Sequence, residues 1–267
     1  MKRSAIFCSG FIYLVIFLAG IAPARADVGE RPAATTSVVV MTISGRISKK
    51  TLETVRANAP KPKGDPIPAG LIVLLDSSGG DGMVAMEIGR MLRAAKAHIF
   101  VTGQCSSACM FILASGVVRG APAYTVGIHR GRITVTDNDG KILKEVNASE
   151  NPKAAAALMK FERDAEGYFS EMGMSPQLFV AMQAHTQKGV YRLSHSQVEQ
   201  YRLTGFETRY FNERVRFFEA QTGVYKMNGT ELRRRTAKVA SRCGEFQADR
   251  KAFVSCYSEV LRDRFLN

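Results

Sequence analysis

The chain has 267 residues and a formal charge of +13, from 37 basic and 24 acidic side chains. That length can bury a proper core and suits one α/β domain with an appendage. The basic residues are scattered apart from Arg233-Arg234-Arg235, and no nucleic-acid-binding motif accompanies them. The charge therefore reads as a solvated surface that can touch an anionic membrane surface, and nucleic-acid recognition is excluded.

In chain order, Lys2 and Arg3 precede an apolar stretch from Ala5 to Ile21, and Ala24-Arg25-Ala26 follows ahead of Asp27. A positive start, an apolar core and small residues two apart predict a signal peptide over 1–26, cleaved after Ala26, and hence a periplasmic or secreted protein. An uncleaved anchor is the alternative, although the stretch is short for a span, which needs about 20 residues. Cleavage would remove Lys2, Arg3, Arg25 and Cys8, leaving a charge of +10 and four cysteines. Residues 27–37 form a polar leader.

Val38 to Ile43 is rich in β-formers, and Lys49 to Asn58 reads as a helix. Pro60 to Pro68 is a Pro/Lys/Gly loop that cannot continue it. Leu71-Ile72-Val73-Leu74-Leu75 is a continuous apolar run, as expected of a strand buried on both faces. It runs into Asp76-Ser77-Ser78-Gly79-Gly80-Asp81-Gly82. Val84, Ile88, Met91, Leu92 and Ala95 then make one apolar helical stripe. A strand over His98 to Thr102 leads to Gly103-Gln104-Cys105-Ser106-Ser107-Ala108-Cys109, a helix is expected over Met110 to Ser115, and a strand from Tyr124 to Ile128 ends at His129. Strand and helix alternate with crossovers long enough for parallel pairing, which predicts an α/β fold. From Lys153 onward the pattern is mainly helical.

An even number of cysteines in an exported chain allows disulfides. Cys243 and Cys256 enclose a short loop and are expected to pair; closing about 15 residues is worth about 3 kcal/mol in the chain-entropy description. Cys105 and Cys109 read as packing residues, because positions four apart on a helix aim their Cβ atoms poorly for a bridge. A bridge that clamps the intervening turn is the sharper alternative. Neither pair has the Cys/His company of a zinc site, and no metal or cofactor is expected.

Acyl transfer through serine needs a nucleophile, a base and donors for the oxyanion. Ser107 falls where a strand turns into a helix, Gly79-Gly80 allows close backbone approach, and His129 stands just past a strand end. Each signal alone is most often structural: a turn, an N-cap, a strand end. Their order and spacing together point to a site. Ser106 competes with Ser107, and is expected to cap the helix.

These segments resemble the Clp-protease/crotonase superfamily. Leu75-Asp76-Ser77-Ser78-Gly79-Gly80 is similar to the Leu-Asn-Ser-Pro-Gly-Gly oxyanion loop of Clp protease proteolytic subunits and signal peptide peptidases. Gly103 to Cys109 resembles their Gly-Gln-Ala-Ala-Ser-Met-Gly segment, and Val126-Gly127-Ile128-His129 the segment bearing the catalytic histidine. Leu193-Ser194 and Tyr201 to Gly205 resemble the end of the domain. The resemblance implies a ClpP/crotonase-like spiral of β-β-α units over 38–207, with a helical extension over 208–267. It also implies a serine peptidase acting on a peptide or protein substrate, with Ser107 as nucleophile, His129 as base and backbone donors at Gly80 and Ala108. Relatives assemble into rings, so a homo-oligomer is an expectation by analogy. The family's third triad member, an Asp, falls on or beside His185-Thr186, where no carboxylate stands. Three other readings stay open: an acyl-CoA enzyme, a Ser–Lys peptidase using Lys153 or Lys160, and a non-catalytic binding or scaffolding protein on the same fold.

Overall fold

The computed structural model describes residues 38–59, 70–137, 142–187 and 189–262; the expected signal over 1–26 and leader over 27–37 lie outside them. The chain runs through β1 (Val39–Ile47), α1 (Lys49–Asn58), β2 (Leu71–Gly80), α2 (Gly82–Ala94), β3 (His98–Ser106), α3 (Cys109–Ser115), β4 (Val118–Gly120) and β5 (Val126–Ile128). There follow β6 (Ile133–Thr136), β7 (Ile142–Val146), α4 (Pro152–Glu171), α5 (Pro176–Ala184), β8 (Tyr191–Arg192), α6 (His195–Gln200) and β9 (Gly205–Phe206). Three longer helices complete the described chain: α7 (Thr208–Glu219), α8 (Gly229–Cys243) and α9 (Arg250–Leu261).

The apolar run of β2 explains the architecture. Leu71 through Leu75 are all essentially inaccessible, and a strand covered on both faces belongs inside a layered α/β sheet. Its alternate residues go to different cores. Leu71, Val73 and Leu75, with Ile99 and Val101 of β3, pack beneath α1 to α6. Ile72, Leu74 and Phe100 face the other way, against Phe211, Leu232, Val239, Phe253 and Tyr257 of α7, α8 and α9. This is the period-two alternation of a pleated strand.

β1, β2, β3 and β4 pair in parallel, and β9 closes the β4 edge antiparallel. β3 changes neighbour along its length. His98 to Phe100 pair with β4, whereas Cys105 and Ser106 pair in parallel with Val126 and Gly127 of β5, which β8 joins antiparallel. β6 and β7 form a separate antiparallel pair directly after His129. Among the described residues no helix is long and apolar enough to cross a membrane.

The sequence reading ends β2 and β3 too early, at Leu75 and Thr102. Both strands run on through their polar motif residues because the ladder continues: Arg46 pairs with Gly79, and Ser77 with Cys105. The Cys243–Cys256 bridge is formed, joining the end of α8 to α9. Cys105 and Cys109, expected as packing residues, are bridged as well. The helical argument against that bridge does not apply, since Cys105 belongs to β3 and only Cys109 to a helix.

Candidate active site

Ser107 is the first of the two residues between β3 and α3, and its φ of +55° is a left-handed conformation costing a non-glycine residue about 1–2 kcal/mol. Strain of this kind persists where the surroundings enforce it. Here the Ser107 N–H donates to Gly127 O at 2.8 Å, and its carbonyl accepts from Met110 N–H at 3.0 Å. The turn is thus stitched to β5 on one side and to the first turn of α3 on the other.

Ser106 does not cap α3. It is the last residue of β3, buried, and its Oγ finds no hydrogen-bond partner among the described residues. The strand pleat drives this hydroxyl inward, where a Cβ on Gly127 would stand 2.9 Å from it. Ser107, past the end of the pleat, remains partly accessible. The two adjacent serines are thereby separated into one enclosed and one presented hydroxyl.

The glycine loop lies against this turn. A Cβ on Gly79 would meet Ser106 O and Ser107 Cβ at 2.6 Å and Ala108 N at 3.1 Å, and Gly79 has φ of +100°. Only glycine satisfies both the contact and the dihedral. The Gly79 N–H donates to Ser77 Oγ at 3.1 Å, while Ser77 Oγ donates to Gly45 O. Asp81 N–H donates to Ile47 O at 3.0 Å. The amide between them, on Gly80, is used by neither contact. Asp81 then caps α2 by accepting from Met83 and Val84 N–H.

Asp76 braces the loop from below. It accepts from Gln104 N–H at 3.0 Å, and its carboxylate fills the space a Gly103 side chain would need. Gln104 Oε1 in turn accepts from Arg192 of β8. Asp76 and Gly103 therefore act as one fitted pair, linking the ends of β2 and β3.

His129 follows β5, which is in register with the strand that delivers Ser107. Its Nδ1 lies 2.6 Å from Arg130 O. A carbonyl can only accept, so Nδ1 carries the proton and Nε2 keeps its lone pair. Burial holds the imidazole below the ordinary histidine pKa; the Arg130 carbonyl opposes this, nearby Arg132 adds to the depression, and Glu145 opposes it. No described hydrogen bond joins His129 to Ser107. His185 approaches through its backbone, its carbonyl accepting from Arg130 N–H at 3.0 Å, while its ring stacks on Tyr191 at 4.2 Å. Thr186 is exposed. The contact to His129 Nδ1 thus comes from a neutral carbonyl, and neither His185 nor Thr186 supplies it.

A cavity of about 520 Å³ opens among Glu219, Lys226, Met227, Asn228 and Glu231, with none of these site residues in its walls.

No family model matches the chain, and no curated protein matches it. Among solved structures it is similar to a ClpP1 mutant from Listeria monocytogenes, at 18% identity and a TM-score of 0.44, over 62% of this chain and 88% of that one.

Proposed function

We propose that this chain is an exported serine hydrolase, a peptidase by its motifs, with Ser107 as nucleophile and His129 as base. The observation that carries the reading is the strained Ser107 turn pressed against Gly79, with a neutral histidine just past the end of the adjoining strand. A serine presented on a strained turn, close backbone approach and a base with a free lone pair suit acyl transfer, and no single structural role calls for all three. Ser107 Oγ attacks the substrate carbonyl as His129 Nε2 takes its proton. The backbone N–H groups of Gly80 and Ala108 receive the oxyanion, His129 returns the proton to the leaving group, and water repeats the sequence on the acyl-enzyme. Export is supported by the signal pattern of 1–26 and by the two disulfides, which persist in oxidising compartments.

A non-catalytic binding protein is the second reading, favoured by the neutral Arg130 carbonyl that His129 Nδ1 bonds where a triad would offer a carboxylate. Intact-protein mass after exposure to a fluorophosphonate separates the two. The wild type should gain one adduct, Ser107→Ala none, and Ser106→Ala one as before, while His129→Ala should label far more slowly. Labelling that survives Ser107→Ala overturns the nucleophile assignment. A wild type that neither labels nor hydrolyses peptides and esters makes the binding reading the better one.

A further inference from the structure

The Cys105–Cys109 bridge closes a five-residue ring around Ser107, with Cα atoms 5.2 Å apart. One end is Cys105, the penultimate residue of β3, whose N–H donates to Thr125 O at 2.9 Å and which pairs with both Ser77 and Val126. The other is Cys109, the first residue of α3. Both are fully buried in the main core. The ring therefore ties a strand fixed by two neighbours to a helix fixed by packing, and the residue at its centre has positive φ.

A non-glycine residue left to itself relaxes out of that region. Ser107 has two backbone hydrogen bonds to hold it, one of them to the first turn of a seven-residue helix with no side-chain cap. The crosslink adds a constraint that water cannot replace. It also sets how far the start of α3 can move from the end of β3, and so where Ala108 N lies relative to Gly79.

We infer that Cys105 and Cys109 are positioning residues, whose disulfide fixes the Ser107 turn so that Ser107 is acylated rapidly only in the oxidised chain. The inference rests on the serine-hydrolase reading. Opening the bridge takes two electrons and two protons from a dithiol reductant, which departs as its own disulfide and leaves two thiols; a disulfide oxidant reverses the exchange. Because both sulfurs are enclosed, the pair records the redox state in which the chain folds. A chain retained in a reducing compartment would fold with a slack turn and stay nearly inactive.

The test compares fluorophosphonate labelling rates in four preparations. These are the oxidised wild type, Cys105→Ala/Cys109→Ala, Cys243→Ala/Cys256→Ala as the remote-bridge control, and that control folded in dithiothreitol, assayed before and after unfolding and oxidative refolding. Circular dichroism and thermal melting accompany each. Loss of the Cys105–Cys109 bridge should slow labelling about 10- to 100-fold, while the helical signal stays at the wild-type level. Unfolding and oxidative refolding of the reduced control should restore the rate, and oxidised Cys243→Ala/Cys256→Ala should melt lower yet label like the wild type. Equal rates with and without the Cys105–Cys109 bridge overturn the inference and leave the hydrolase reading intact. If the oxidised wild type does not label at all, the hydrolase reading fails, and amide hydrogen exchange decides the positioning claim. Faster exchange at Ser107 to Phe111 on reduction supports it, and unchanged exchange overturns it.

Discussion

The two ends of β3 are built on opposite plans. At its start, His98 is buried, its Nδ1 bonded to the Tyr257 hydroxyl at 2.5 Å and its Nε2 to that of Tyr210 at 2.6 Å. Both ring nitrogens are satisfied, and the contacts tie the strand to α7 and α9. At and just past its other end stand a buried hydroxyl with no partner among the described residues, a serine at positive φ and a glycine in close contact. One end follows every rule of a stable interior, and the other breaks three of them within a few residues. Local rules fail where function takes precedence, so the contrast supports the proposed site without appeal to any resemblance.

The comparison can be broken by substitution, and the largest effect is expected at Gly79. Gly79→Ala places a methyl 2.6 Å from Ser107 Cβ in a backbone region that alanine avoids. Ester or peptide hydrolysis should fall by about 100-fold or more, measured as kcat/KM. Near-normal turnover would show that the turn has room to yield.

At the opposite end, His98→Gln should cost about 2–3 kcal/mol of stability by urea denaturation, through the loss of two buried hydrogen bonds. The labelling rate of Ser107 in the folded fraction should not change. A matching loss of labelling would mean that the two ends are not independent.

Acid separates the ends as well. Burial depresses His98 to about 3, against an ordinary 6.5. The unfolded chain therefore takes up a proton at this residue that the folded chain refuses. Its contribution is fully present above about 6.5 and is lost as the pH falls toward about 3. Denaturation measured across that window should show a slope that shrinks in His98→Gln. His129 is shifted the same way, chiefly by burial. It must be neutral to act, so the acidic limb of the activity profile should lie below the ordinary histidine value. A limb above that value would remove His129 as the base.

The smallest effect belongs to Ser106→Ala. The hydroxyl is buried and unpartnered among the described residues, so its removal should leave stability unchanged or raise it by up to about 1 kcal/mol. A drop of that size would point to a hidden partner.

Much of this was legible in the sequence, for physical reasons particular to each segment. The run from Leu71 to Leu75 is apolar at every position, which only a doubly covered strand requires, and the structure buries all five residues. Lys49 to Asn58 follows Ser48 and has the predicted bounds. The Cys105–Cys109 bridge was obscured by taking both residues as helical, when a turn residue at positive φ lies between them. Ser106 was misread for the same reason. The β6–β7 pair was missed although Asp139-Gly140, a common hairpin turn signal, stands between its strands. Its strands carry Val135, Ile142 and Leu143 largely exposed, so no buried face announced them. The brace from Asp76 to Gln104 N–H could not be read from spacing, because it joins residues 28 apart through a backbone amide.

The second core has a consequence for how the chain is made. Ile72, Leu74, Phe100 and Val118 are laid down early, yet the side chains that cover them come from Phe211 to Leu261. Until those helices emerge during synthesis, one whole face of the sheet is a bare apolar surface of paired strands, the kind that recruits other chains. A nonsense mutation between Glu207 and Gly229 would leave every residue of the proposed catalytic apparatus encoded. Its product should nevertheless collect in aggregates, because the sheet that carries the site would lack half of its cover.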